Sequence, residues 1–268
     1  MEFERLIYEV DREAHIATIT LNKPERLNAI DPQTHWDIVA LCEEVQRDED
    51  VWVIIWTGSG RGFCSGADLA VGLAQPVDPN RPLNERLDEE TWVSRQGKAL
   101  FGVDKPMIAA VNGVAAGAGF ALTLACDLRV GSENARFVTV FPERNLSPEC
   151  GTSFLLPRIV GLSRALDLCL TSRRVDAEEA YRLGLLDRLV AQDDLMSTAW
   201  ELATRICELP PGAVRVTKRS VHNALESSFA DATAFESVAV RLAQQAKEDN
   251  EESRVSFLEK RKPVYKGR

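Results

Sequence analysis

Apolar and polar residues alternate along "HIATITL" at 15–21, the period of two expected of a strand with one buried face. "WVIIWTG" at 52–58 and "MIAAVNG" at 107–113 are apolar at almost every position, and each ends at a glycine. Such runs read as central strands covered on both sides. Between the first two the period lengthens: Ile38, Leu41, Cys42 and Val45 fall on one face of a helix from about Pro32 to Asp48. Asp31 precedes it as the N-cap, with Pro32 at the first helical position, where no N–H is needed. Strand alternating with helix puts the chain in the α/β class. The units ending at Gly58 and Gly113 resemble a repeated strand–glycine–helix module.

The pattern changes twice more. Residues 72–90, "GLAQPVDPNRPLNERLDEE", carry three prolines among polar groups and predict a surface loop leading into a helix, with a mobile lid as the alternative. From about residue 193 the periodicity is wholly helical: Leu195, Ala199, Leu202 and Ile206, then Phe235, Val238, Leu242 and Ala246, with Pro210 and Pro211 breaking between helices. Two regions are therefore expected, an α/β core over 1–195 and a helical subdomain over 196–268.

Composition narrows the chemistry. With a net charge of −9 over 268 residues, the chain lacks the concentrated basic surface that a nucleic-acid backbone requires. No apolar run is long enough to span a membrane, and "MEFERLIYEV" lacks the basic-then-apolar order of a signal peptide, so a cytosolic or equivalent soluble compartment is expected. Six cysteines without CxxC spacing read as buried thiols. His15 in a strand pattern, His35 in the first turn of a helix and His222 on a late helix form no HxxxH or HxH pair, so no transition-metal site is expected.

Two glycine-rich turns follow strands directly, "GSGRGFCSGADL" at 58–69 and "NGVAAGAGFALTLACD" at 112–127. The second contains Gly113, Gly117 and Gly119 in a G-x-x-x-G-x-G pattern like the phosphate turn of short-chain dehydrogenases. It lies past residue 110, however, and no Tyr-x-x-x-Lys follows. Close strand–helix packing is one use for these glycines. An anion hole is another: an N–H after Gly66 and an N–H at the start of the helix following Gly117, the latter aided by the helix dipole, can face one oxygen that turns negative. Such a pair suits the enolate formed when a proton leaves the carbon beside a thioester carbonyl, and the catalyst then needs a positioned base.

"NKPERLNAI" (22–30), "GRGFCSGADL" (60–69), "KPMIAAVNGVAAGAGFALTLACDLRV" (105–130), "FLLPRIVG" (154–161) and "FLEKRKPVYKG" (257–267) resemble, in order and over essentially the whole chain, the enoyl-CoA hydratase/isomerase or crotonase superfamily. The resemblance implies a spiral of ββα units with a helical C-terminal region that trimerises, often as a dimer of trimers. It also implies an acyl-CoA thioester as substrate, with no cofactor beyond the CoA the substrate carries. By the same resemblance the oxyanion-hole amides fall on Ala67, after Gly66, and on Ala118. The CoA contacts map to Arg26 and Ala29 near the pantetheine, Asp68 and Leu69 near the adenine, and Phe257 with Lys260 at the adenine and phosphates, reaching a neighbouring subunit.

Hydratases of that family hold water between two glutamates, and the matching positions here are Ala121 and Phe141. The two-carboxylate hydration mechanism thus lacks its water-holders. Glu149 stands where resembling isomerases, and some hydrolases and dehalogenases, carry a functional acid. Set just before a helix beginning near Gly151 and beside apolar neighbours, it is expected to have a raised pKa and to act as a single acid/base. A first-turn helix acid is the plainer role for it. Glu143, two residues from Phe141 in what reads as an extended segment, is either a displaced second acid or a surface residue. Cys150, Ser147 and Ser153 read as packing or capping residues, and Asp127 as structural. The expected activity is an isomerase-type proton shift. The alternatives are another crotonase reaction, namely hydration, thioester hydrolysis or C–C cleavage, and a non-catalytic binding module.

Overall fold

The computed structural model describes residues 3–71 and 91–268, so the loop expected at 72–90 lies outside the described residues. An antiparallel hairpin, β1 (Leu6–Asp11) and β2 (Ile16–Leu21), leads into α1 (Pro32–Arg47). The strand–glycine–helix unit then recurs. β3 (Val53–Gly58), β4 (Gly62–Cys64) and α2 (Trp92–Phe101) are followed by β5 (Met107–Val111), β6 (Val114–Ala116) and α3 (Ala118–Ala125). The next turn is β7 (Leu128–Ser132), β8 (Arg136–Val138) and α4 (Thr152–Val160). Each turn gives its first strand to a six-stranded sheet, ordered β1-β2-β3-β5-β7-β10, and its second to a four-stranded sheet, ordered β4-β6-β8-β9. This is the ββα spiral that the sequence resemblance implies.

After α4 come α5 (Leu162–Thr171), β9 (Val175–Asp176), α6 (Ala177–Leu183) and β10 (Arg188–Val190). The chain ends in α7 (Leu195–Cys207), α8 (Pro211–Ala224), α9 (Phe229–Ala243) and α10 (Lys247–Glu259). Parallel β3 and β5 are buried at every position, as their apolar runs require. Their alternate side chains feed two cores. Ile54, Trp56, Met107 and Ala109 face α1, α3 and the second sheet, while Val53, Ile55, Ile108 and Ala110 face Leu195, Ala199 and Ala203 of α7.

Local signals at α1 hold: the Asp31 side chain accepts from the Thr34 amide, Pro32 is in the first turn, and Ile38, Leu41, Cys42 and Val45 are all buried. Other expectations change. His15 is in the hairpin turn, not the strand, with φ of 60°, its ring stacked on Trp52 at 3.9 Å. The stripe running through Phe235 to Ala246 does not form one buried helix face. α9 ends at Ala243, and Val238 and Leu242 are exposed. Helical periodicity reports an apolar face without saying what covers it.

All six cysteines are free thiols, and burial pushes Cys42, Cys64 and Cys126 up to about 12. Among the described residues no cluster of His, Cys, Asp and Glu could hold a metal ion, and no helix is long and apolar enough to cross a membrane.

Candidate active site

Two asparagines shape the first glycine turn. Asn28 Nδ2 donates to the carbonyls of Ser59, Gly62 and Phe63 at 2.8–3.1 Å, and Asn112 Nδ2 donates to those of Gly58 and Gly60 at 2.9 Å. Both side chains are buried, which fixes the path of the chain into β4 and on to Gly66. There Ala67 makes an isolated parallel bridge with Ile30. The Ile30 amide donates to Gly66 O and the Asp68 amide donates to Ile30 O, each at 2.8 Å. In such a bridge the flanking residues carry both bonds, so the N–H of Ala67 faces away from Ile30.

The β6–α3 turn passes directly against this point. Gly66 has φ of +90°, and a Cβ there would stand 2.7 Å from Ala116 O and 3.5 Å from Ala118 N, so only glycine allows the approach. Ala118 is the first residue of α3, where amides have no acceptor one turn earlier. Among the described residues neither the Ala67 nor the Ala118 amide donates to a protein acceptor. Two unused donors thus flank Gly66, one carrying the positive end of α3.

The carboxylate comes from a different turn of the spiral. Glu149 precedes Cys150 and Gly151, which take φ of +51° and +86°, and its carbonyl accepts from the Thr152 amide at 2.9 Å as α4 begins. It opens into a cavity of about 460 Å³ walled by Val93, Gly97 and Phe101 of α2 and by Phe154 and Leu155 of α4. Ser94, Lys98, Pro148 and Glu226 also line it, with Cys150 and Gly151. Among the described residues no donor reaches the Glu149 carboxyl, and burial pushes its pKa up from 4.5. The Cys150 thiol is raised by burial, by the Glu149 carboxylate and by Cys64.

At both hydratase-acid positions the side chains are apolar and buried, Ala121 within α3 and Phe141 before α4. Glu143 does not share the side of Phe141. The expected extended segment is instead a 3-10 turn, Pro142–Arg144, which leaves Phe141 buried and Glu143 exposed, outside the Glu149 cavity. Ser147 and Ser153 are exposed, and Cys150 is buried beneath α2. Asp127 accepts from the Met107 amide at 2.7 Å and from Lys218 Nζ at 2.8 Å, a structural position as expected.

Of the expected CoA contacts, Arg26 is exposed, Ala29 buried, and Leu69, Phe257 and Lys260 exposed. Asp68 is buried, and its carboxylate is engaged by Lys23 Nζ at 3.0 Å, which also reaches Asp31 at 2.6 Å. The Lys23 hydrogen bond holds the Asp68 carboxyl below its ordinary range. Lys23 was not singled out in the sequence, although "NKPERLNAID" sets it eight residues before Asp31. The α2 wall, Gly97 with Phe101, and Glu226 were also missed, because nothing local ties them to Glu149.

The family model described as enoyl-CoA hydratase/isomerase matches residues 11–268. The chain is 34% identical over 256 residues to 1,2-epoxyphenylacetyl-CoA isomerase of Escherichia coli (strain K12), covering 96% of this chain and 97% of that protein. It is 32% identical to short-chain-enoyl-CoA hydratase of Clostridium acetobutylicum, covering 98% and 97%. Among solved structures it is similar to an enoyl-CoA hydratase from Bacillus anthracis, with a TM-score of 0.88, 29% identity and coverage of 99% and 100%.

Proposed function

Because the chain belongs to the enoyl-CoA hydratase/isomerase family of acyl-CoA-processing enzymes, we propose that it catalyses an isomerase-type proton shift with Glu149 as its single acid/base. The carboxylate takes a proton from C2 of a 3-enoyl-CoA. The electron pair moves onto the thioester oxygen, and the Ala67 and Ala118 amides donate to the resulting dienolate. Glu149 then delivers a proton at C4, so the double bond moves while composition is conserved. The observation that carries this reading is the Glu149 carboxyl itself, which opens into the cavity, accepts no hydrogen bond among the described residues and is favoured in its neutral form by burial. Burial of that kind makes the carboxylate a stronger base than an exposed one. Buried Ala121 and Phe141 favour isomerisation over two-carboxylate hydration.

On the same reading CoA runs past Arg26 and Ala29 toward Leu69, with Phe257 and Lys260 reaching a neighbouring subunit of a trimer or dimer of trimers. Asp68 contributes through its backbone, since Lys23 occupies its carboxylate.

Glu149→Gln is expected to abolish solvent deuterium exchange at C2 of a bound acyl-CoA while CoA binding persists. Exchange surviving at the wild-type rate assigns the base elsewhere. The second reading, hydration or hydrolysis with Glu149 activating water, is supported by the hydratase among the similar proteins. Products from a panel of 2-enoyl-, 3-enoyl- and 3-hydroxyacyl-CoAs separate the two.

A further inference from the structure

We propose that Phe101 and Phe154 form a fixed partition that ends the acyl pocket, restricting this protein to short acyl groups while a second apolar cavity lies closed off behind it. This rests on the acyl-CoA reading of the Glu149 cavity. Val93, Gly97 and Phe101 recur every four residues along α2 and so line one face of the cavity, with Phe101 farthest along the helix. Phe154 stands opposite, in the first turn of α4. Their rings meet edge to face, 5.9 Å apart at 79°.

Beyond them is a cavity of about 440 Å³ lined by Leu124, Leu128, Ile159, Val214, Val221 and Leu225. Phe101, Phe154 and Leu155 line both spaces, so the two cavities are back to back with these side chains as the common wall. The far cavity is mainly apolar, although Asp127, Arg129, Arg158 and Lys218 also border it, and the rings stand between it and the base.

The wall is braced on its outer side, which makes it a stop and not a swinging gate. His222 of α8 lies flat on Phe101, with ring centroids 4.9 Å apart at 6°. Its Nε2 is 3.7 Å from Asp127, which Lys218 and the Met107 amide hold in place. The Arg158 guanidinium sits 3.5 Å from the centre of the Phe154 ring, and its Nη1 donates to Phe154 O at 2.9 Å. Rotating either ring away from its partner breaks a stack that is anchored from a separate helix or from the next turn of its own.

Calorimetric titration with saturated butanoyl-, octanoyl- and dodecanoyl-CoA tests the partition without needing turnover. An open apolar channel would tighten binding about fourfold for each methylene buried. Wild-type protein is expected to bind dodecanoyl-CoA no more tightly than octanoyl-CoA, and Phe101→Ala to raise that affinity ratio by about tenfold or more as the two cavities merge. Phe101→Leu, which keeps an apolar contact with His222, is expected to move the ratio the same way by a smaller factor. Wild-type affinity that climbs steadily to dodecanoyl-CoA, or variants whose length profile matches wild type, overturns the partition alone. Absence of binding by every CoA thioester overturns the acyl-CoA reading itself.

Discussion

Gly97 sits in the middle of α2, where glycine costs about 1 kcal/mol relative to alanine. A Cβ there would stand 3.1 Å from the carbonyl carbon of Cys150 and 3.3 Å from its oxygen, so the helix rests on the backbone of the residue after Glu149. The local preference for alanine is overridden by this contact, which helps to place the carboxylate. Gly97→Ala is expected to leave the melting temperature unchanged or lower it, the helix-propensity gain being offset by the backbone contact, while slowing C2 deuterium exchange about tenfold by displacing the Glu149 segment. An unchanged exchange rate would show that the contact does not position the base. Glu149 was legible as a chemical candidate because its neighbours in sequence are apolar and a helix follows. Gly97 was not, because its role depends on a partner more than fifty residues away.

At the scale of elements, α1 shows a helix specified at both ends. Lys105, buried, donates to the carbonyl of Val45 in the last turn of the helix and to that of Asp48 at its C-cap. At the start, burial works to raise the Asp31 pKa, but hydrogen bonds from Lys23 and from the Thr34 amide and hydroxyl outweigh it and bring the value to about 2. The folded chain therefore holds the Asp31 proton less tightly than the unfolded chain does. The stability from this group is present above the ordinary value of 3.8 and is lost as pH falls toward 2.

Asp31→Asn keeps the cap and removes the charge. It is expected to lower unfolding free energy by about 1–2 kcal/mol at neutral pH, with the gap to wild type narrowing in urea melts as pH is lowered from about 5 to 3. A gap independent of pH would mean that the Lys23 pair adds nothing. The cap and the inward stripe were readable from spacing alone. The Lys23 pairing with Asp68, which ties the start of α1 to the residue after Ala67, joins segments that only folding brings together.

For the whole molecule, the strand–glycine–helix rhythm was visible at Gly58 and Gly113, but the division of its strands between two sheets was not. Each second strand is three residues long, too short for a period to register. The exposed stripe on α9 is where the proposed trimer bears on sequence. Val238→Glu combined with Leu242→Glu is expected to shift the sedimentation coefficient from a trimer or hexamer to a monomer, with reduced CoA affinity if Phe257 and Lys260 serve a neighbouring site. A wild-type monomer, or an assembly indifferent to the pair, removes α9 as the contact.

The pairing of β4 with β6 and of β6 with β8 has one more implication. Successive coils lay corresponding stretches of main chain next to one another, so the groove between coils one and two, where Ala67 and Ala118 stand, has a counterpart between coils two and three. There the Gly117 amide donates to Val138 O at 3.1 Å, Val140 adopts φ of 57°, and Phe141 is buried. A winding architecture manufactures the same crevice more than once, and main-chain pairing in one copy but not in the other decides which is left with donors to spare.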